Sequence, residues 1–543
     1  MTDPLTSDLV QRLLVCAIVG GSIVAVWRVS DTQDTIRRRL LFGIPIGTVV
    51  TMVVVMCVYL FIQGGISHWQ TPVTLPFRAW SYFAPVGILT AGFSHFGPSH
   101  LIGNLVGVAV LGTIVEYNWA HYPQTQGTQS FATPWLNPYV RGFCLFPLIL
   151  LIVGILSAIF SIGPVIGFSG VVYFLAGAAV IRYPLGTVVA LSGADALRLG
   201  INSLESPVSV SSGRAAFISP WWADIAIQGH AIGILGGILA GIVVFYRKYN
   251  IQTSPERLWI GVVLVAAEQS LWAVYWYRGI QTFVLYRALG VALISILGIV
   301  VVFSWRSRGQ WKNEDRDIKS LIGRAGLPLL IIALLVLAVP AIPYNLTTVG
   351  DTTLPGETVQ VREYQLTYAE NIPNGLISEF DIEIFGETTA VNASGVIVSH
   401  PRYGIWTTAV SKGELALRGQ KQVPIGGVQW RTEIQAERDG WTVTGNGTVY
   451  RVRLRTPAEQ RIVFQSPPQT AGPVINGRHI TAIPTVDGYD IVVRGNTGVT
   501  RRLIPAQNQT KTIGGIQFSR ANNSIIAKYN QTTVEVLTRE TYR

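Results

Sequence analysis

The chain has 543 residues, of which 49% are hydrophobic and 13% charged, and it carries a net charge of +11. About a quarter of an ordinary soluble domain is charged, so this composition excludes one large water-soluble globule and a disordered chain alike. The charge is uneven. Residues 1–344 hold 13 acidic and 21 basic side chains, whereas residues 345–543 hold 17 and 20. The first part reads as membrane-embedded and the second as an ordinary globular domain. Basic groups beside apolar segments set topology or touch anionic lipid. No aromatic–basic nucleic-acid motif is present, which removes that partner.

A membrane span needs about 20 apolar residues to cross about 30 Å of hydrocarbon. Ten segments qualify in chain order: 9–27, 41–63, 99–118, 142–162, 168–182, 184–200, 225–246, 257–277, 282–304 and 325–343. The first follows Asp3 and Asp8 without a cleavage site and reads as a retained span. Pro184 marks a tight connection between the fifth and sixth. With ten alternating spans, four basic groups fall on one side: Arg37–Arg39, Arg182, Arg247 to Arg257, and Arg306 to Arg324. That side is then cytoplasmic, and both termini lie outside the plasma membrane. N-x-S/T sequons agree: they occur at Asn345, Asn392, Asn446, Asn508, Asn522 and Asn530 and nowhere earlier. Cys16, Cys57 and Cys144 all sit in apolar runs without CxxC spacing, so they read as buried filler. No metal site and no cofactor is predicted.

Residues 345–543 read as β. Thr358–Tyr368, Gly395–Val398, Val449–Leu454, Ile462–Gln465 and Thr533–Leu537 are rich in Val, Ile, Thr and Tyr, with Gly, Pro and Asn between them. A sandwich-like domain is expected, with His400 and His479 as surface or loop residues.

Three polar clusters interrupt the apolar segments, where polar groups are costly. In the first, His95-Phe-Gly-Pro-Ser-His100-Leu-Ile-Gly-Asn104, His100 and Asn104 are four apart and share a helix face. Two donors on one face suit a negative oxygen. In the second, Gly167 and Gly170 flank Ser169 at a helix start, where free N–H groups favour an anion. Ser169, Tyr173 and Gly177 follow one another at i, i+4 and i+8. In the third, His230, Gly233 and Gly237 line one face, so that a neighbouring helix can approach closely. A neighbour bearing Ser169 puts its hydroxyl in reach of His230 as general base. Alternating spans bring all three clusters under one outer surface. Asp224, six residues before His230, reads as a loop carboxylate rather than a third catalytic member. Glu268 and Arg287, in the eighth and ninth segments, read as a structural pair.

The order H-x4-H-x3-N, G-x-S-G-x2-Y-x3-G and H-x2-G-x3-G resembles the rhomboid family of intramembrane serine proteases over residues 41–246. The resemblance implies that Ser169 is the nucleophile and His230 its base. It further implies an oxyanion hole made by His100, Asn104 and the Ser169 N–H, with Gly167 beside it, and a Tyr173 ring stacked on His230. Phe77 to Phe83, with Trp80 and Tyr82, would form the half-buried loop before the third span. Two departures stand out: Arg78 lies two residues before Trp80 rather than beside a Trp, and Gly229 replaces the common Ala before the histidine.

The expected architecture is a polytopic all-α bundle of about ten spans, followed by a soluble all-β sandwich-like domain. Residues 1–40 would form an extra N-terminal span and cytoplasmic loop, and 41–246 a six-span rhomboid-like core. Residues 247–344 would add three spans, and 345–543 an extracellular β-rich domain. The implied partners are transmembrane protein substrates and the lipid bilayer. Rival readings are a catalytically silent protein that binds membrane helices, and a transporter or envelope-assembly protein in which the clusters only pack.

Overall fold

The computed structural model describes residues 38–122, 133–205, 225–249, 253–279, 282–306, 318–346, 354–376, 383–384, 387–388, 390–496 and 498–542, with isolated positions at 9–10, 12–13, 16–18, 131 and 220–221. The segment 9–27 lies largely outside the described residues, as does Asp224. A helical part is followed by a β-rich part.

The helices are α1 (Ile46–Cys57, continued by a π turn Val58–Ile62), α2 (Pro85–Thr90), α3 (Pro98–Trp119), α4 (Phe146–Ile159), α5 (Ser169–Arg182), α6 (Pro184–Glu205), α7 (Ile227–Tyr249), α8 (Pro255–Glu268), α9 (Arg287–Arg306), α10 (Ile318–Ala338) and α11 (Ala341–Leu346). Pro85, Pro98, Pro184 and Pro255 open four of them, at the position where a missing N–H costs nothing. The Ser254 hydroxyl caps α8 by accepting from the Arg257 N–H. Among the described residues five helices are long and apolar enough to cross a membrane: Pro98–Trp119, Pro138–Ile159, Ile227–Val244, Arg287–Trp305 and Ala325–Leu346. Ile46–Ile62 and Ser169–Arg182 are shorter apolar helices.

Two expected segments end differently from prediction. Residues 275–277 of the eighth and 282–285 of the ninth belong to an antiparallel hairpin, β1 (Tyr275–Gly279) and β2 (Thr282–Leu285). β1 is aromatic at Tyr275, Trp276 and Tyr277, and β2 adds β-branched Thr282 and Val284 to Phe283, which satisfies a pleated surface as well as a hydropathy window. Glu268 and Arg287 flank this hairpin, and both are exposed. No ion pair joins them; Glu268 lies toward Ser192 and Asp195 of α6 instead. The three cysteines are free and exposed rather than buried. Apolar residues such as Val53, Leu148 and Ile152 share these outward faces, because helices with apolar outer surfaces turn such residues outward as readily as inward.

Helices α5 and α7 pack backbone to backbone. A Cβ placed on Gly237 would stand 1.9 Å from the Phe174 carbonyl oxygen, and one on Gly177 would stand 2.2 Å from that of Ile234. At the other end of α3, fully buried Glu116 gathers the start of α1. Its Oε1 accepts from the Gly47 N–H (2.7 Å), and its Oε2 from the N–H and hydroxyl of Thr48 (2.8 and 2.7 Å). His121 Nε2 lies 2.6 Å from Oε1, and His121 Nδ1 accepts from the Leu41 N–H.

The β-rich part contains three main antiparallel sheets. One orders β3 (Val359–Val361), β4 (Tyr364–Pro373), β7 (Asn392–His400) and β8 (Ile405–Ser411), with a small hairpin β5 (Glu383–Ile384) and β6 (Glu387–Thr388) inserted in the chain. A second is built on the 14-residue β10 (Trp430–Val443), which pairs with β9 (Gln420–Gly427) and β11 (Thr448–Arg455); β12 (Gln460–Gln465) follows β11. The third orders β13 (Gln469–Thr470), β14 (His479–Pro484), β15 (Tyr489–Gly495) and β16 (Gly498–Leu503). The far half of β10 continues through β20 (Thr532–Arg539), β19 (Ser524–Tyr529) and β18 (Ile516–Ala521) to β17 (Thr510–Ile513). Strands β10 and β11 therefore serve two separate hydrophobic cores. One closes on the β3–β4–β7–β8 sheet through Leu366, Val398, Ile434 and Val452. The other closes on the β13–β16 sheet through Trp441, Val449, Ile491 and Phe518. The stretch Thr358–Tyr368 splits into β3 and β4 at Arg362, which takes a positive φ of 54°.

Two readings of this part change. His400 is buried, stacked on Tyr403 at 4.4 Å and 3.1 Å from a Glu363 oxygen; only His479 is exposed. Asn345 is also buried, and its amide donates to the carbonyls of Ile159 and Ser161. Its sequon is closed to a sugar in the folded protein, while the other five asparagines are exposed.

The boundary at residue 344 falls inside α11, and the two parts interlock across it. Leu75 and Trp80, from the loop before α3, are buried in the first β core. Ser81 Oγ donates to the Tyr403 carbonyl (3.0 Å), Arg431 donates to the Thr71 carbonyl, and the Tyr82 N–H donates to the Asn345 carbonyl.

Candidate active site

Ser169 is the first residue of α5, so its N–H has no acceptor within the helix. The chain reaches it through Gly167, whose φ of +125° suits only glycine. A Cβ there would stand 2.6 Å from the His100 ring, so the absent side chain is what lets His100 lie against the turn. Gly167→Ala is expected to push His100 aside and, if Ser169 is a nucleophile, to lower its rate of phosphonylation about tenfold or more in a labelling time course.

The structure brings Ser169, His230 and Tyr173 together. Ser169 Oγ and His230 Nε2 are 2.8 Å apart, on α5 and α7. The Tyr173 ring, one turn below Ser169, stacks on the His230 ring at 4.0 Å and 14° between planes. His230 Nδ1 is buried and has no hydrogen-bond partner among the described residues, so none of their carboxylates orients this imidazole. Gly229 also has a local reason: a Cβ there would meet Ser161 Oγ at 2.6 Å.

The donor side is more elaborate than the sequence indicates. Asn104 Nδ2 lies 2.9 Å from His95 Nε2, and the Phe168 N–H points at the same nitrogen from 3.4 Å. His95 thus links α3 to the turn that presents Ser169. Gln63 in turn holds His95: its amide donates to the His95 carbonyl and its oxygen accepts from the His95 N–H, at 2.9 and 2.8 Å. Asn104 keeps a second amide hydrogen. His100 packs edge-on to His95 (5.0 Å) and stacks on Phe96 (5.8 Å). The spacing H-x4-H already contained His95, but Gln63 stands 32 residues earlier at the end of an apolar helix and carries no motif. Arg198 of α6 likewise carries no motif; it pairs with Asp195 (2.9 Å) and donates to the Gly103 carbonyl (3.1 Å), next to Asn104.

The preceding loop is partly as expected. Phe77 and Trp80 are buried, while Phe83 is exposed. The Arg78 guanidinium lies over the rings of Trp80 (5.6 Å) and Phe96 (4.6 Å), so the two-residue offset still yields an Arg–Trp contact. Among the described residues no group of three His, Cys, Asp or Glu side chains is placed to hold a metal.

Chemically, the arrangement offers a hydroxyl in contact with an imidazole nitrogen, a helix N-terminus, and polar donors on the facing helix. That set can carry out acyl transfer. Compared with protein families, curated proteins and solved structures, the chain matches none.

Proposed function

We propose that this protein is a rhomboid-like intramembrane serine endopeptidase that hydrolyses peptide bonds in or near transmembrane segments of other membrane proteins. The observation that carries the reading is the 2.8 Å contact between Ser169 and a His230 ring that Tyr173 stacks upon. In the proposed reaction Ser169 Oγ attacks the scissile carbonyl while His230 Nε2 takes its proton. The Ser169 N–H, His100 and the second amide hydrogen of Asn104 receive the developing oxyanion. His230 then returns the proton to the leaving amine, and water releases the acyl group by the same route. A dyad suffices for this chemistry. Helical carbonyls in lipid are hydrogen-bonded and shielded, so the substrate segment must first unwind.

The same reading gives the chain about ten spans in the plasma membrane, six of them forming the core, with residues 345–543 outside. It is supported by the distribution of arginine and lysine between apolar segments. A second support is that the β-rich part docks on the loop before α3, and the adjoining α11 on residues 159–161, the side of the bundle that bears Ser169. A silent helix-binding protein has no need of a serine–imidazole contact, which disfavours that rival.

The test is fluorophosphonate labelling of the purified full chain. Wild type is expected to be labelled on Ser169 and Ser169→Ala to be blank. An unlabelled wild type, or equal labelling of Ser169→Ala, would refute the reading.

A further inference from the structure

The Tyr173 hydroxyl donates to the backbone carbonyl of Gln269, 2.6 Å away. Gln269 lies 96 residues further along, outside the stretch 41–246 that carries the motif set. It is the C-terminal cap of α8. The helix ends there in a Schellman turn: the Ser270 N–H donates to the Ala267 carbonyl (3.1 Å) and the Leu271 N–H to the Ala266 carbonyl (2.9 Å). Ser270 takes a φ of +60°, and Leu271 is buried behind it. A cap carbonyl has no acceptor role inside its own helix, so this oxygen is free to receive the tyrosine.

We infer that the Gln269–Ser270 turn is a positioning element for the dyad: by holding the Tyr173 hydroxyl it fixes the ring on which His230 stacks. The inference rests on the serine-hydrolase reading above. In a triad a carboxylate sets the plane of the histidine. Here His230 Nδ1 has no partner among the described residues, and the face of Tyr173 lies 4.0 Å from the imidazole. Tyr173 is itself buried and anchored twice, by its backbone in α5 and by its hydroxyl on α8. Helix α8 packs on both α5 and α6. The segment after the core thus belongs to the catalytic apparatus and is not an appendage to it. Tyr173 and the turn act through His230, as positioning residues.

The test is the rate of fluorophosphonate labelling of the full chain, measured at several probe concentrations so that the maximal rate and the half-saturating concentration separate. Tyr173→Phe keeps the stacked ring and loses only the hydrogen bond. Its maximal rate is expected to fall about fivefold, the equivalent of one ordinary hydrogen bond, with the half-saturating concentration unchanged. Proline cannot adopt a positive φ and glycine adopts it freely. Ser270→Pro is therefore expected to slow labelling as Tyr173→Phe does, and the conservative Ser270→Gly to label several-fold faster than Ser270→Pro. Combining Tyr173→Phe with Ser270→Pro should be no slower than the slower single variant, because both remove the same contact. Thermal unfolding identifies any variant that has lost its fold. Labelling of Tyr173→Phe at the wild-type rate, or fully multiplicative losses in the double variant, would overturn the inference while leaving the dyad intact. An unlabelled wild type would overturn both.

Discussion

His230→Ala is expected to lower cleavage of a single-span reporter by the reconstituted protein about a thousandfold or more. The size follows from the geometry. Among the described residues Ser169 Oγ has one base in contact, His230 Nε2 at 2.8 Å, and in the proposed reaction that imidazole both takes the serine proton and delivers one to the leaving amine. Without it the hydroxyl is a poor nucleophile and the amine a poor leaving group, so two steps fail together. Ser169→Ala should lose a similar amount, and the double variant little more, because residues acting as one unit are not additive. Reporters with Gly, Pro or polar residues in the span should be cut faster, since their helices unwind at lower cost. Cleavage that persists in both single variants would remove the dyad from the chemistry.

Glu116→Ala is expected to destabilise the helical part by about 3–5 kcal/mol, the usual effect of breaking a buried, hydrogen-bonded carboxylate site. The lost groups can be counted. The N–H groups of Gly47 and Thr48, the Thr48 hydroxyl and His121 Nε2 all address the two Glu116 oxygens. The two N–H groups open α1, where a carboxylate also meets the positive end of the helix dipole. Removing it leaves buried donors without acceptors, each at about 1–3 kcal/mol. Glu116→Gln keeps the shape and one oxygen, and should lose less. Unfolding of the purified protein in detergent, followed by circular dichroism against temperature, measures both. An alanine variant with the wild-type midpoint would show that α1 starts without this cap. Because Glu116 sits at the opposite end of α3 from His100, the residual native fraction should still label on Ser169.

Much of the candidate site was legible because its signals are local. His100 and Asn104, or Ser169 and Tyr173, are spaced by helix periodicity, and charge is so scarce around them that each polar residue stands out. What sequence could not reveal is what the polar groups do for one another across the bundle. Asn104 reads as a free donor, yet it faces His95, which Gln63 holds from another helix. Glu116 sits inside an apolar run, and nothing in that run announces the helix start it caps. Hydropathy also failed where two structures satisfy it equally. Residues 275–285 are apolar enough for the ends of two spans, but aromatic and β-branched side chains around Gly279 fold into a hairpin. In the β-rich part, strand-rich stretches were visible, whereas the sharing of β10 and β11 by two cores was not. A strand's length and its pairing partners are set by contacts distant in sequence.

The burial of Leu75 and Trp80 among residues as late as Val463 has a consequence for biogenesis. A chain made at about 5–20 residues per second takes roughly 20–80 s to travel from Trp80 to Val463. Throughout that interval the loop before α3 lacks its covering, and Trp80 has no core to enter. A later-made portion of the polypeptide therefore completes a much earlier one, and assembly of the loop before α3 waits for the β-rich part. A nascent chain halted at residue 344 would carry every polar group of the candidate site on a scaffold still missing its final wall.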